Sequence, residues 1–119
     1  MTPDLPTVLV VDDEPDLRAV VATLLEEEGY AVKQAPDGLA ALEEVEADGV
    51  DLIVTDVRMP RLDGAGLIQR LRQRGVMIPV VVMTATHVTL SLPEVRVVPK
   101  PFAPEHLLAA VSAALLNSA

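Results

Sequence analysis

A chain of 119 residues has room for one hydrophobic core, and a single domain over 1–119 is expected. Eighteen acidic residues against nine basic give a net charge of −9, which repels a phosphodiester backbone, so direct nucleic-acid binding by this domain is not expected. The absence of cysteine excludes disulfides and thiolate chemistry, and the apolar runs are too short to span a bilayer; with no signal-like start in residues 1–7, the expectation is a cytoplasmic protein without membrane insertion.

The first element is the apolar run Thr7-Val8-Leu9-Val10-Val11, the pattern of a parallel strand covered on both faces. It stops at Asp12-Asp13-Glu14. Pro15 then opens a helix whose apolar stripe is Leu17, Val20, Val21, Leu24 and Leu25, closed by Gly29. Tyr30 to Ala35 reads as a second strand, Asp37-Gly38 as a helix entry, and Leu39, Leu42 and Val45 as the inward face of that helix. Leu52 to Thr55 is a third strand ending on Asp56, and Pro60 and Gly64 keep the following loop from continuing as strand or helix. Leu67, Ile68 and Leu71 mark a third helix, Ile78 to Met83 a fourth strand stopping at Thr84-Ala85, Val95 to Val98 a fifth, and Pro104 starts a last helix with Leu107, Leu108, Val111 and Leu115 inward.

This alternation argues βαβ units in a doubly wound, flavodoxin-like α/β fold, a five-stranded parallel sheet with helices on both faces, for which 2-1-3-4-5 is the common strand order and the one expected here. One crossover departs from the rule. Residues 84–94 are close to the minimum for a parallel connection and rich in β-branched and hydroxyl residues, so the fourth helix, between the fourth and fifth strands, is expected to be short or absent.

In that strand order, four strand ends bring polar groups together: Asp12 and Asp13, Asp56, Thr84, and Lys100, one of only two lysines beside seven arginines. Two carboxylates about 5 Å apart repel by roughly 3 kcal/mol at an effective dielectric near 20. Raised pKa values or a cation must offset this, and a hard divalent ion with oxygen ligands is the natural answer. Taken singly, the residues have plainer explanations: Asp12-Asp13-Glu14 suits a helix N-terminus, and Lys100 a solvated surface. His87 and His106 lack metal-ligand spacing.

Together, Asp12-Asp13, Asp56-Val57-Arg58-Met59-Pro60 with Asp63-Gly64, Thr84-Ala85 and Lys100-Pro101-Phe102 resemble the receiver domain of two-component response regulators, over essentially the whole chain. The resemblance implies that Asp56 accepts a phosphoryl group from a histidine kinase or phosphotransfer protein, and that the domain assists only its own phosphorylation and dephosphorylation. It implies Mg2+, for which Mn2+ can stand in, held by Asp13, Asp56 and the backbone carbonyl of Arg58, with Asp12 acting through a coordinated water. Lys100 would contact the phosphoryl oxygens, Thr84 with Ala85 would form the switch, and Lys100-Pro101 would be a cis peptide. The output target is left open, as is a monomer against a phosphorylation-linked dimer. Val97 stands where the family often has an aromatic residue, three positions before the lysine.

Three other functions compete. An aspartyl-phosphate hydrolase would want a second acid two residues after Asp56, where Arg58 stands, and a flavin protein would want a hydroxyl- or glycine-rich loop where Asp12-Asp13-Glu14 stands. A receiver-fold binding module that signals without phosphorylation keeps all these residues, and ranks second.

Overall fold

The computed structural model describes residues 5–47, 49–84, 94–100 and 103–116. Within them the chain runs β1 (Thr7–Val11), α1 (Pro15–Glu27), β2 (Ala31–Ala35), α2 (Gly38–Glu46), β3 (Leu52–Asp56), α3 (Gly64–Gln73), β4 (Val80–Thr84), β5 (Val95–Pro99) and α4 (Pro104–Leu116). The strands form one parallel sheet in the order β2-β1-β3-β4-β5. Both the alternation and the strand order expected from the sequence are therefore observed.

Four helices are described, and the fourth in chain order, α4, is a full 13-residue helix. The crossover expected to carry a short helix or none, residues 85–93, lies outside the described residues. So do Ala85, Pro101 and the Lys100-Pro101 peptide.

The unbroken apolar runs of the strands have a direct cause: each inner strand is covered on both faces. Val8, Val10, Leu52, Val54, Val81 and Met83 point to one side, where Val21 and Leu25 of α1 and Leu107 and Val111 of α4 close the core. Leu9, Val11, Ile53, Val80 and Val82 point to the other, against Leu42 of α2 and Leu67, Ile68 and Leu71 of α3. Each of these large side chains, taken wholly out of water, contributes roughly 1.5–3 kcal/mol. The helices change side at β1, and the crevice outside the carboxyl ends of β1 and β3 is the consequence.

One helix face differs from expectation. Val20 is 56% exposed, whereas Ala22 is buried beside Val21 and Leu25. An apolar stripe fixes a helix's rotation only to within about one residue, and the close packing of α1 on the sheet takes the small side chain in preference to the branched one.

The helix entries follow local chemistry. Asp37 accepts a hydrogen bond from the Ala40 amide through its side chain at 2.9 Å, and Asp63 does the same for Gly66 at 2.7 Å, each satisfying a donor that the helix leaves unpaired. Among the described residues, no helix is long and apolar enough to cross a membrane.

Candidate functional site

Strand register builds the site. Val11 pairs with Thr55, so the residues that follow, Asp12 and Asp56, come side by side at the carboxyl ends of β1 and β3. Asp56 in turn pairs with Met83, and Thr84 pairs with Pro99, which brings Thr84 and Lys100 into the same row. The Lys100 amide donates to the Thr84 carbonyl at 2.6 Å, fastening the two ends together.

Among the described residues, Asp12, Asp13 and Asp56 form a group in which one carboxylate oxygen from each lies within 4.8 Å of the others. They differ in exposure: Asp12 is fully buried, Asp56 partly buried and Asp13 exposed. Asp56 Oδ1 accepts from the Val57 amide at 2.7 Å, and Oδ2 accepts from Lys100 Nζ at 2.9 Å. Its carbonyl accepts from the Thr55 hydroxyl at 2.9 Å. Thr84 is also buried, at 3% exposure, at the end of the strand next to β3.

The tight bend after Asp56 depends on Gly64. Its amide donates to the Val57 carbonyl at 2.8 Å, and a Cβ on this residue would lie 2.3 Å from the Asp56 carbonyl oxygen. Only a residue without a side chain lets the backbone close this way, which seats the start of α3 directly against the strand end. The stretch between them carries Arg58, whose side chain is exposed.

Asp12 carries an electrostatic penalty. Burial pushes its carboxyl above the ordinary carboxylate value; the Glu14 amide draws it back down, Asp56 raises it, Lys100 lowers it and Asp13 raises it. Its Oδ1 accepts from the Glu14 amide at 2.9 Å. Its Oδ2 is buried without a hydrogen-bond partner. A buried polar oxygen left in that state costs about 1–3 kcal/mol, more when charged, so it points to a missing donor or cation. Three carboxylates with one oxygen unmatched are a hard, all-oxygen donor set, and they fit a small divalent ion better than a soft one.

The plainer account of the acidic triplet is not what occurs. Glu14 is the N-cap of α1, yet its side chain makes no capping hydrogen bond, and Asp12 and Asp13 face the crevice. The structure thus assembles Asp12, Asp13, Asp56, Thr84 and Lys100, all singled out in the sequence. It adds two residues that sequence reading passed over. Arg18 Nη1 donates to the Asp12 carbonyl at 2.8 Å, and Arg18 Nε donates to Gln34 Oε1 at 3.2 Å. An arginine in the first turns of a helix gives no sign that it will reach back to a strand end.

Comparison with known proteins agrees with this geometry. The family model of the response regulator receiver domain matches residues 8–112. The alkaline phosphatase synthesis transcriptional regulatory protein PhoP of Bacillus subtilis is 38% identical over 117 residues, 93% of this chain and 49% of PhoP. Response regulator MprA of Mycobacterium ulcerans is 40% identical over 114 residues, 91% of this chain and 49% of MprA. The chain therefore spans about half the length of these curated relatives. Among solved structures, the response regulator protein TrrA from Thermotoga maritima, in complex with Mg2+-BeF, superposes with a TM-score of 0.85 at 29% identity, covering 93% of this chain and 100% of TrrA. With a matched model over nearly its whole length and an acidic crevice at the expected strand ends, this chain belongs to the response regulator receiver domain family.

Proposed function

We propose that this receiver domain takes a phosphoryl group on Asp56 from a phosphorylated histidine of a kinase or phosphotransfer protein, and holds it as the signal. The observation that carries this reading is the Asp56–Lys100 bond of 2.9 Å at the rim of a three-carboxylate crevice. A carboxylate oxygen of Asp56 attacks phosphorus, the P–N bond to the donor imidazole breaks, an O–P bond forms, and the released nitrogen takes up a proton.

Asp12, Asp13, Asp56 and the Arg58 backbone carbonyl would hold Mg2+. When bound, the ion neutralises charge on the equatorial phosphoryl oxygens. The chain's own residues do the rest. Lys100 leaves Asp56 Oδ2 for a phosphoryl oxygen, trading one ion pair for another and so losing little in the exchange. Thr84, buried at the end of β4 and joined to Lys100 through the backbone, is the switch residue of this reading. The domain is a phosphoacceptor that assists its own phosphorylation and dephosphorylation, and has no external substrate to turn over.

The test is the intact mass after incubation with a small acyl phosphate, in Mg2+ and in EDTA, for the natural protein and Asp56→Asn. One added phosphoryl group that requires both Mg2+ and Asp56 is expected. No gain under any condition overturns the reading in favour of a receiver fold that signals by binding alone.

A further inference from the structure

Asp12 is gripped from several directions. Its amide donates to the Ala35 carbonyl at 3.2 Å, its carbonyl accepts from Arg18 Nη1 at 2.8 Å, and its Oδ1 accepts from the Glu14 amide at 2.9 Å. These partners come from β2, α1 and the turn between β1 and α1, and none belongs to the acidic cluster. Oδ2 alone is left over for the crevice. The arginine is itself tied down, since Nε donates to Gln34 Oε1 at 3.2 Å on β2.

A guanidinium is a planar fork that can serve two acceptors at fixed angles, which a lysine ammonium on a flexible stem does not reproduce. Here the fork spans the Asp12 carbonyl and the Gln34 side chain, locking the end of β1 to its neighbour. We propose that Arg18 is a positioning residue of the acidic site: by holding the Asp12 carbonyl, it fixes the peptide so that Oδ2 stays presented to a divalent cation. This inference rests on the reading above that the cluster binds such a cation.

Charge and position make opposite demands on Arg18. A positive group beside the cluster repels an incoming cation, so an arginine acting only as a charge weakens binding, and its removal tightens it. An arginine acting as a hydrogen-bonded brace does the reverse. Groups that orient a metal ligand from outside typically contribute ten- to a hundredfold in affinity, and a brace on the ligand's backbone belongs at the low end, roughly tenfold.

The experiment is direct titration with Mn2+, followed by water-proton relaxation, on the natural protein, Arg18→Met, Arg18→Lys and Gln34→Leu, with urea midpoints measured alongside. Positioning predicts a dissociation constant roughly tenfold weaker for both Arg18→Met and Arg18→Lys. Gln34→Leu, which frees only Nε, should lose less. A lower urea midpoint with an unchanged dissociation constant makes Arg18 merely structural and overturns the proposal. Tighter binding by Arg18→Met, or full affinity in Arg18→Lys, overturns it in favour of charge or bulk. Should Arg18→Met not fold, the lysine and Gln34→Leu variants decide on the same criteria. Failure of the natural protein to bind Mn2+ overturns both this inference and the cation reading; unaltered binding in the variants overturns this inference alone.

Discussion

Strand β3 is bracketed by two aspartates, Asp51 just before it and Asp56 as its last residue, and their surroundings differ. At the amino end, Asp51 and Thr7 exchange two hydrogen bonds: the Asp51 amide donates to the Thr7 carbonyl at 2.8 Å, and Asp51 Oδ2 accepts from the Thr7 amide at 2.8 Å. That carboxylate is exposed, and it closes the start of the β1–β3 ladder. At the carboxyl end, Asp56 stands beside two further carboxylates, with a lysine from beyond β5 as its partner. The lesson is that residue type and position on a strand end do not make a site. The three carboxylates gathered at the carboxyl end share one lysine, whereas Asp51 has its geometry completed by the backbone.

The sharpest way to break this contrast is to remove one carboxylate at a time. Asp56→Asn should abolish uptake of a phosphoryl group from an acyl phosphate, read as intact mass, because an amide offers no anionic oxygen to attack phosphorus. Asp51→Asn should take up phosphate as the natural protein does. Equal uptake by both variants would mean that the acceptor lies elsewhere.

The glycines at the two ends give a second contrast. Gly64→Ala forces a Cβ to within 2.3 Å of the Asp56 carbonyl oxygen, so the backbone must move at the strand end that carries Asp56. Overpacking of this kind costs about 1–3 kcal/mol, which exceeds the roughly 1 kcal/mol an alanine gains over glycine in a helix. Slower phosphoryl uptake should accompany the lower urea midpoint. Gly49, with φ +90° and nothing within 4 Å of where a Cβ would stand, meets no such contact. Gly49→Ala carries only the left-handed backbone penalty of about 1–2 kcal/mol and should leave uptake unchanged.

Buried Asp12 sharpens the comparison through pH. Its folded-state pKa lies above the unfolded value of 3.8, so the folded state binds more protons between those two values. Stability from this group is therefore fully present below about pH 3.8 and is lost as pH rises through the raised folded value. Asp12→Asn should accordingly raise the urea midpoint at pH 7, and the gain should vanish toward the acid end of that window. A divalent cation bound at the cluster would offset the same penalty in the natural protein. Mg2+ at ten times its dissociation constant should stabilise it by about 1.4 kcal/mol at pH 7, with a much smaller effect in Asp12→Asn. An equal Mg2+ effect in both would remove Asp12 from the cation's surroundings.

Much of this was legible in the sequence because parallel strands buried on both faces write themselves as unbroken apolar runs. Where the runs at Val8–Val11 and Leu52–Thr55 stop, the next residue is an acid, so the carboxyl ends of the strands and their cargo could be read together. The strand order expected was the common one for a doubly wound sheet. Two things were not legible. Whether Val20 or Ala22 faces the sheet is decided by how closely α1 packs, which no stripe of apolar residues encodes. The Arg18 brace ends on a backbone carbonyl, an acceptor present at every position, so no pairing of side-chain types announces it.

The smallest effect belongs to the quiet end of β3. Asp51→Ala removes one hydrogen bond to the Thr7 amide at an exposed position, where water can take the vacated place, so the expected loss is about 1 kcal/mol in urea unfolding. The backbone bond from the Asp51 amide to the Thr7 carbonyl remains, and with it the register that sets Asp12 beside Asp56. Phosphoryl uptake and Mn2+ affinity should both be unchanged. A change in either would mean that the start of β3 transmits strain along five residues to the acidic crevice, and that the two ends of the strand are one device and not two.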